Sequence, residues 1–279
     1  MSEVVVASAR AGEPDRYLAA LLAPASARPH LLALAAFSSE LARVPLLVTR
    51  EPAMGEIRLQ WWREALLATD PRARTGHPVV DAVRATIQDC QLPAALLIEA
   101  INARELDLAR QGLADDAALA AHLWQSEGLL FALAAAVVSR GLAVDARPAA
   151  AASGQAYGLA RLLISLPRAL ARGRVPLPQS RLAAANVSRE ELLSGQDGCK
   201  VARLCANLCA EARAALARSR PLVANLPRPA RPAFLPLALV QTYLRALERP
   251  ASSILHAPPE VVPLQRLWRM AAAHWLGRI

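Results

Sequence analysis

Two residue types in this chain could support chemistry on an anionic substrate: carboxylates that hold a metal and arginines that hold a phosphate. A helical metal site is usually built from acids three or four residues apart, which leave one face in the same direction. None of the 23 Asp and Glu residues has another acid at either spacing. The one adjacent Asp pair, Asp115–Asp116, opens an apolar helical stretch. An N-cap beside an acid favoured by the helix dipole accounts for that pair without chemistry. The arginines are distributed differently. Between Asp145 and Glu190 there is no acid, and the stretch carries Arg147, Arg161, Arg168, Arg172, Arg174, Arg181 and Arg189. A second acid-free stretch, between Glu211 and Glu248, carries Arg213, Arg218, Arg220, Arg228, Arg231 and Arg245. The segment LISLPRALARGRVPLP gathers Arg168, Arg172 and Arg174 around prolines and Gly173. Guanidinium groups grip phosphate bidentately. With Arg161, these three are the candidate anion-binding residues; the competing reading is a solvated charged face.

Other chemistries find little support. His30, His77, His122, His256 and His274 are scattered, and His122 with Glu127 on one helix does not make a site. Cys205 and Cys209 share a helical face, but Cys199 lies off it and no His is near, so core cysteines are expected rather than a zinc site. There is no G-x-S-x-G, P-loop or G-x-G-x-x-G. GQAYG, from Gly154 to Gly158, reads as close helix packing, and Trp61–Trp62 as core plus rim. Aromatic residues are only 4% of the chain and do not interleave with the basic ones, which disfavours nucleic acid.

The elements that must position these residues are helices. Ala and Leu dominate the 54% hydrophobic content, and strand formers are scarce. Apolar residues recur at helical spacing almost throughout. Asp15 opens an early helix that Pro24 ends; a longer one covers about 27–44, stopped or kinked by Pro45. The next carries an apolar stripe of Ile57, Trp61 and Ala65. Two helices flank Pro93, the second aligning Leu97, Ile101 and Leu108. A long helix begins at Asp115 and ends at Gly141. The reading is one all-α domain over 1–279, with ten or more helices and a flexible start over 1–13.

The net charge of +9 points to an anionic partner, while Arg in place of all Lys but Lys200 fits a GC-rich bacterial coding sequence. No signal peptide is evident, and the most apolar run, Gly128 to Ser139, is shorter than the roughly 20 residues of a membrane span. A cytoplasmic protein, with peripheral attachment to an inner membrane left open, is expected.

Several segments together resemble the squalene and phytoene synthases. YLAALLAPASARPHLLALAAF is similar to the start of that family, and RGRVPLP to its R-G-R-x-Y-L-P segment; ARELDL, HLWQSEGLLF and GQAYGLARLL lie between them in the right order. The resemblance implies the isoprenoid synthase fold, a helical bundle around a central cavity, and magnesium held by two Asp-rich motifs. By spacing, the family's first Arg and aspartates fall on Ser39, Ala42, Arg43 and Leu46. Its second motif falls on Ser165 and Ala169, and the Gln and Asn before it on Gly158 and Arg161. Both carboxylate clusters are missing. Details such as ELARV and LQWWRE are similar to a degenerate branch that includes a mitochondrial complex I assembly factor. This implies a protein without catalytic residues or cofactor, binding an isoprenoid, a lipid or a protein partner such as a respiratory-complex subunit. One alternative is an active prenyltransferase, with magnesium held by acids such as Glu40, Glu56, Glu105 and Asp107 converging from different helices. Another is a basic scaffold on an anionic membrane.

Overall fold

The computed structural model describes residues 2–47, 52–68, 74–108, 112–140, 142, 144–195, 198–248, 255, 261–277 and 279; Gly141 and His256, named above, lie outside them. The described residues form helices and connecting turns, with no strand among them. The chain starts with α1 (Glu3–Gly12), α2 (Pro14–Leu22) and α3 (Arg28–Leu47). The expected flexible start is therefore helical. Ser2 caps α1 by accepting from the Val4 amide, and Val5 and Ala9, one turn apart, are fully buried against the bundle. Three β-branched valines lower local helix propensity, but burial of one face outweighs that cost.

α4 (Pro52–Leu67), α5 (Pro78–Cys90), α6 (Ala94–Asn102) and the single turn α7 (Glu105–Leu108) follow. Helix α3 runs through Pro45, where a stop or kink was expected. On α4 the buried side is Leu59, Trp62 and Leu66, while Ile57 is 62% exposed, so the stripe read from the sequence is one position out of register. Trp62 is the anchor: its ring meets Phe37 edge-on with centroids 5.6 Å apart. Full burial of such a side chain contributes about 1.5–3 kcal/mol.

The long helix from Asp115 is three pieces: α8 (Asp116–Leu123), a π turn over Trp124–Gly128, and α9 (Leu129–Val138). Asp115 caps α8 as expected, accepting from the Ala118 amide at 2.8 Å. The π turn sits where this helix crosses the central helix, α10 (Arg147–Leu170). A Cβ on Gly154 would lie 2.6 Å from both Cα and N of Gly128, so the two backbones touch there, and only glycines allow it. GQAYG is thus a packing motif, as its sequence suggested. The rest comprises α11 (Gln179–Ala185), α12 (Arg189–Leu193), α13 (Cys199–Ala224), a 3-10 segment (Arg228–Leu239), α14 (Val240–Leu247) and α15 (Pro263–Leu276). α13 and α14 pack on α10, α3 packs on α9, and Phe131 stacks on Phe234 at 5.6 Å between α9 and the 3-10 segment. Cys205 and Cys209 are core residues of α13, whereas Cys90 is half-buried and Cys199 exposed.

Candidate functional site

The two candidate motif regions lie on α3 and α10, and the structure closes both. On α3, Ser39 is buried and receives a hydrogen bond from Ser8 of α1 at 3.3 Å. A Cβ on Gly12 would strike the Ser39 hydroxyl, so α1 and the start of α2 rest directly on this position. Ala42 is half-buried; Arg43 is exposed beside Glu40 at 3.4 Å; Leu46 is exposed. On α10, Gly158 has no room for a side chain: its Cβ would sit 2.7 Å from Leu123 and 3.3 Å from Glu127. Ser165 is exposed and turns back to the Leu162 carbonyl, and Ala169 is half-buried. These eight positions, Arg161 included, present no carboxylate. Magnesium requires oxygen ligands, and this donor set does not fit it.

The four candidate arginines do not converge. Arg168 and Arg172 are exposed and form no ion pair with a described residue. Arg174 is bound to Asp107 at 3.3 Å. Asp107 also takes Arg104 at 3.1 Å and lies 3.9 Å from His122, whose pKa burial lowers. Arg181, from the same acid-free stretch, pairs with Asp116 and Glu211. Three of that stretch's arginines thus meet acids from distant segments, which linear charge counting does not see.

Arg161 is the centre of something the sequence did not disclose. Its Nη1 donates to Glu13 at 2.6 Å and lies 3.5 Å from Glu127. Arg16 donates to Glu13 at 3.0 Å and to Glu127 at 2.8 Å, closing a square of two guanidiniums and two carboxylates. Ser38 adds a hydrogen bond to Glu13 at 2.8 Å. Glu13 is 1% exposed. Burial alone pushes its carboxyl upward, but Arg161 and Arg16, with the Arg161 and Ser38 hydrogen bonds, outweigh it and hold the pKa at about 2. The guanidiniums are also placed over rings: Arg16 lies 5.3 Å from the Phe131 centroid and Arg161 5.5 Å from that of Tyr157. The square is neutral overall. The anion against Arg161 is the protein's own glutamate.

A second cluster adjoins it through α2. Asp15 lies in the first turn of that helix, as expected, and its side chain turns inward, accepting from Tyr157 at 2.8 Å and from Tyr243. Arg266 of α15 stands 3.9 Å from its other oxygen. Burial, then Asp15, raises both tyrosine pKa values, so the phenols stay protonated donors. Glu13 and Asp15 are two apart, outside the three-or-four spacing, and Glu127 has no acid within that spacing. The one linear signal was Glu13–Arg16, an i,i+3 pair across the Pro14 helix start.

One pocket between the helices, lined by Arg16, Ala20, Leu34, Leu130, Ala134 and Ala233, has about 20 Å³, room for one water. The acids considered for a rearranged metal site also stay apart. Glu40 accepts from Ser8, Glu105 pairs with Arg63, Asp107 with Arg104, and Glu56 is exposed. Among the described residues no three His, Cys, Asp or Glu side chains are placed to share a metal. Counted through the π turn, Asp116–Val138 is long and apolar enough to cross a membrane, yet Leu123, Leu129, Phe131 and Leu133 on it are buried in the bundle.

Comparison with known proteins agrees with this frame. The family model for squalene/phytoene synthase matches residues 9–268. A rat protein named NADH dehydrogenase (ubiquinone) complex I, assembly factor 6 is 27% identical over 242 residues, 87% of this chain and 72% of that protein. The human protein of the same name is 26% identical over 243 residues, with the same coverage. Among solved structures, a dehydrosqualene synthase in complex with ligand superposes with a TM-score of 0.81 at 14% identity, covering 98% of this chain and 94% of that one. Squalene synthase HpnC from Alicyclobacillus acidocaldarius gives 0.74 at 20% identity, covering 91% and 94%.

Proposed function

The chain belongs to the squalene/phytoene synthase family, and we propose that it is a non-catalytic member whose own carboxylates occupy the place of the family's metal–diphosphate group. The observation that carries this reading is the pairing of Arg161, at a motif position, with buried Glu13 and Glu127. A diphosphate that took the Nη1 face of Arg161 would have to displace Glu13, and parting a buried ion pair costs about 3–5 kcal/mol. Even a bound diphosphate would lack a Lewis acid on its leaving oxygen. Guanidinium contacts of equal strength in ground and transition states do not accelerate ionisation.

What remains is a rigid helical body with a role in binding. Its relatives named complex I assembly factor 6 support a respiratory-complex subunit as partner and an assembly role. The test is incubation of the pure protein with farnesyl or geranylgeranyl diphosphate and Mg²⁺. The expected result is no diphosphate release above background, and clean turnover overturns the proposal. Cells lacking assembly factor 6, supplied with this chain, test the assembly role through recovery of complex I activity.

A further inference from the structure

We infer that α15, with the arginine-rimmed cleft beside it, is a docking surface for an anionic lipid bilayer. This goes beyond the reading above and stands whether or not the chain turns over a diphosphate. Helix α15 buries only Met270, Ala271 and Ala273 well. It leaves Leu264, Trp268, Trp275 and Leu276 between 61% and 74% exposed, and Leu267 at 44%. At about 100° per residue, Leu264, Trp268 and Trp275 fall within roughly 40° of one another. They form one stripe, with Leu267 and Leu276 at its sides. Trp61, Trp62 and Trp124, by contrast, are buried or half-buried. Two indoles and Leu264 on one solvent-facing stripe, with Leu267 and Leu276 exposed on either side, are costly in water and suited to a bilayer interface, where the ring is buried and its N–H stays wet.

The charge around the stripe names the partner. No acid occurs from Pro263 to Ile279. The fold brings α15 next to the second acid-free stretch, so that segments far apart in sequence form one positive face. A cleft of about 780 Å³ opens between α15 and the end of α13, with Arg220, Arg228 and Arg231 on its wall beside Trp275. Arg231 is fixed by the Ala224 and Leu226 carbonyls. Arg220 and Arg228 are exposed and form no ion pair with a described residue. Lipid phosphates supply the missing negative charge for such guanidiniums. A second copy of this chain would set the same arginines against each other.

The experiment uses the full chain with vesicles of phosphatidylcholine, alone or with phosphatidylglycerol, read by flotation and tryptophan fluorescence. We expect binding to the phosphatidylglycerol vesicles, a blue-shifted emission, and weakening by salt. Trp268→Ser with Trp275→Ser should reduce partitioning by more than about tenfold. Both rings are exposed, so circular dichroism and Tm should not change. Arg220→Ala and Arg228→Ala should each cost about fivefold, on anionic vesicles only. Failure of the wild type to bind either vesicle overturns the inference, as does unchanged binding by the double Trp variant. A dimer that the Trp substitutions dissociate, without vesicle binding, assigns the face to a second copy and overturns it too. An acidic protein that binds the stripe while vesicles do not has the same consequence.

Discussion

Replacing Glu13 with Gln removes one charge from the buried square and nothing from its shape. Arg16 and Arg161 would then share Glu127 alone, leaving one uncompensated positive charge behind α2. Loss of one partner from a buried ion pair costs about 3–5 kcal/mol. The ionisation of Glu13 gives an independent figure. Its pKa is held at about 2 against an ordinary 4.5, which corresponds to on the order of 3 kcal/mol of stability. Because the folded pKa is the lower one, that contribution is complete above about pH 4.5 and is lost as pH falls through about 2. The assay is urea unfolding of wild type and Glu13→Gln by far-UV circular dichroism, from neutral pH downward, reading the gap between them. The gap should be about 3–5 kcal/mol near pH 7 and narrow below about pH 4.5. Adding Arg161→Met to the Gln variant restores neutrality and should recover part of the loss. A gap below about 1 kcal/mol at neutral pH, or one that acid leaves unchanged, would refute the claim that this network holds the centre together.

Gly158→Gln should destabilise by about 1–3 kcal/mol or more through collision with Leu123 and Glu127, and calorimetry will show a lower Tm. Tyr243→Phe leaves Asp15 one donor short in a buried setting and should cost about 1–3 kcal/mol in urea unfolding. Thiol titration at pH 8 should modify exposed Cys199 first; Cys209, whose pKa burial pushes up to about 11, should react only on unfolding.

The helices were legible because their apolar periodicity is long and repeated, and the capping role of Asp115 was legible because caps are local. The lapses share a cause. Ile57 faces water because neighbouring helices, absent from any local window, set which side of α4 is buried. The π turn at Trp124–Gly128 answers a crossing with Gly154, a contact that periodicity within one helix does not encode. The absence of acids three or four residues apart could be read directly, by type and spacing. The buried square could not, because Glu13, Arg16, Glu127 and Arg161 come from three separate parts of the chain. Likewise, the arginines of LISLPRALARGRVPLP looked like one anion-binding group in sequence, yet Arg174 faces Asp107 while Arg168 and Arg172 face solvent.

The inward turn of Asp15 also bears on how the chain is made. Its hydrogen-bond partner Tyr243 lies 228 residues downstream, and Arg161 lies 148 residues after Glu13. At roughly 5–20 residues per second, a ribosome adds the tyrosine about 10–45 s after the aspartate. Through that interval the opening of α2 carries two carboxylates into no completed interior. α1 and α2 can pack on α3 as soon as it emerges, but Asp15 and Glu13 gain their distant partners only when nearly the whole of this stretch has been synthesised.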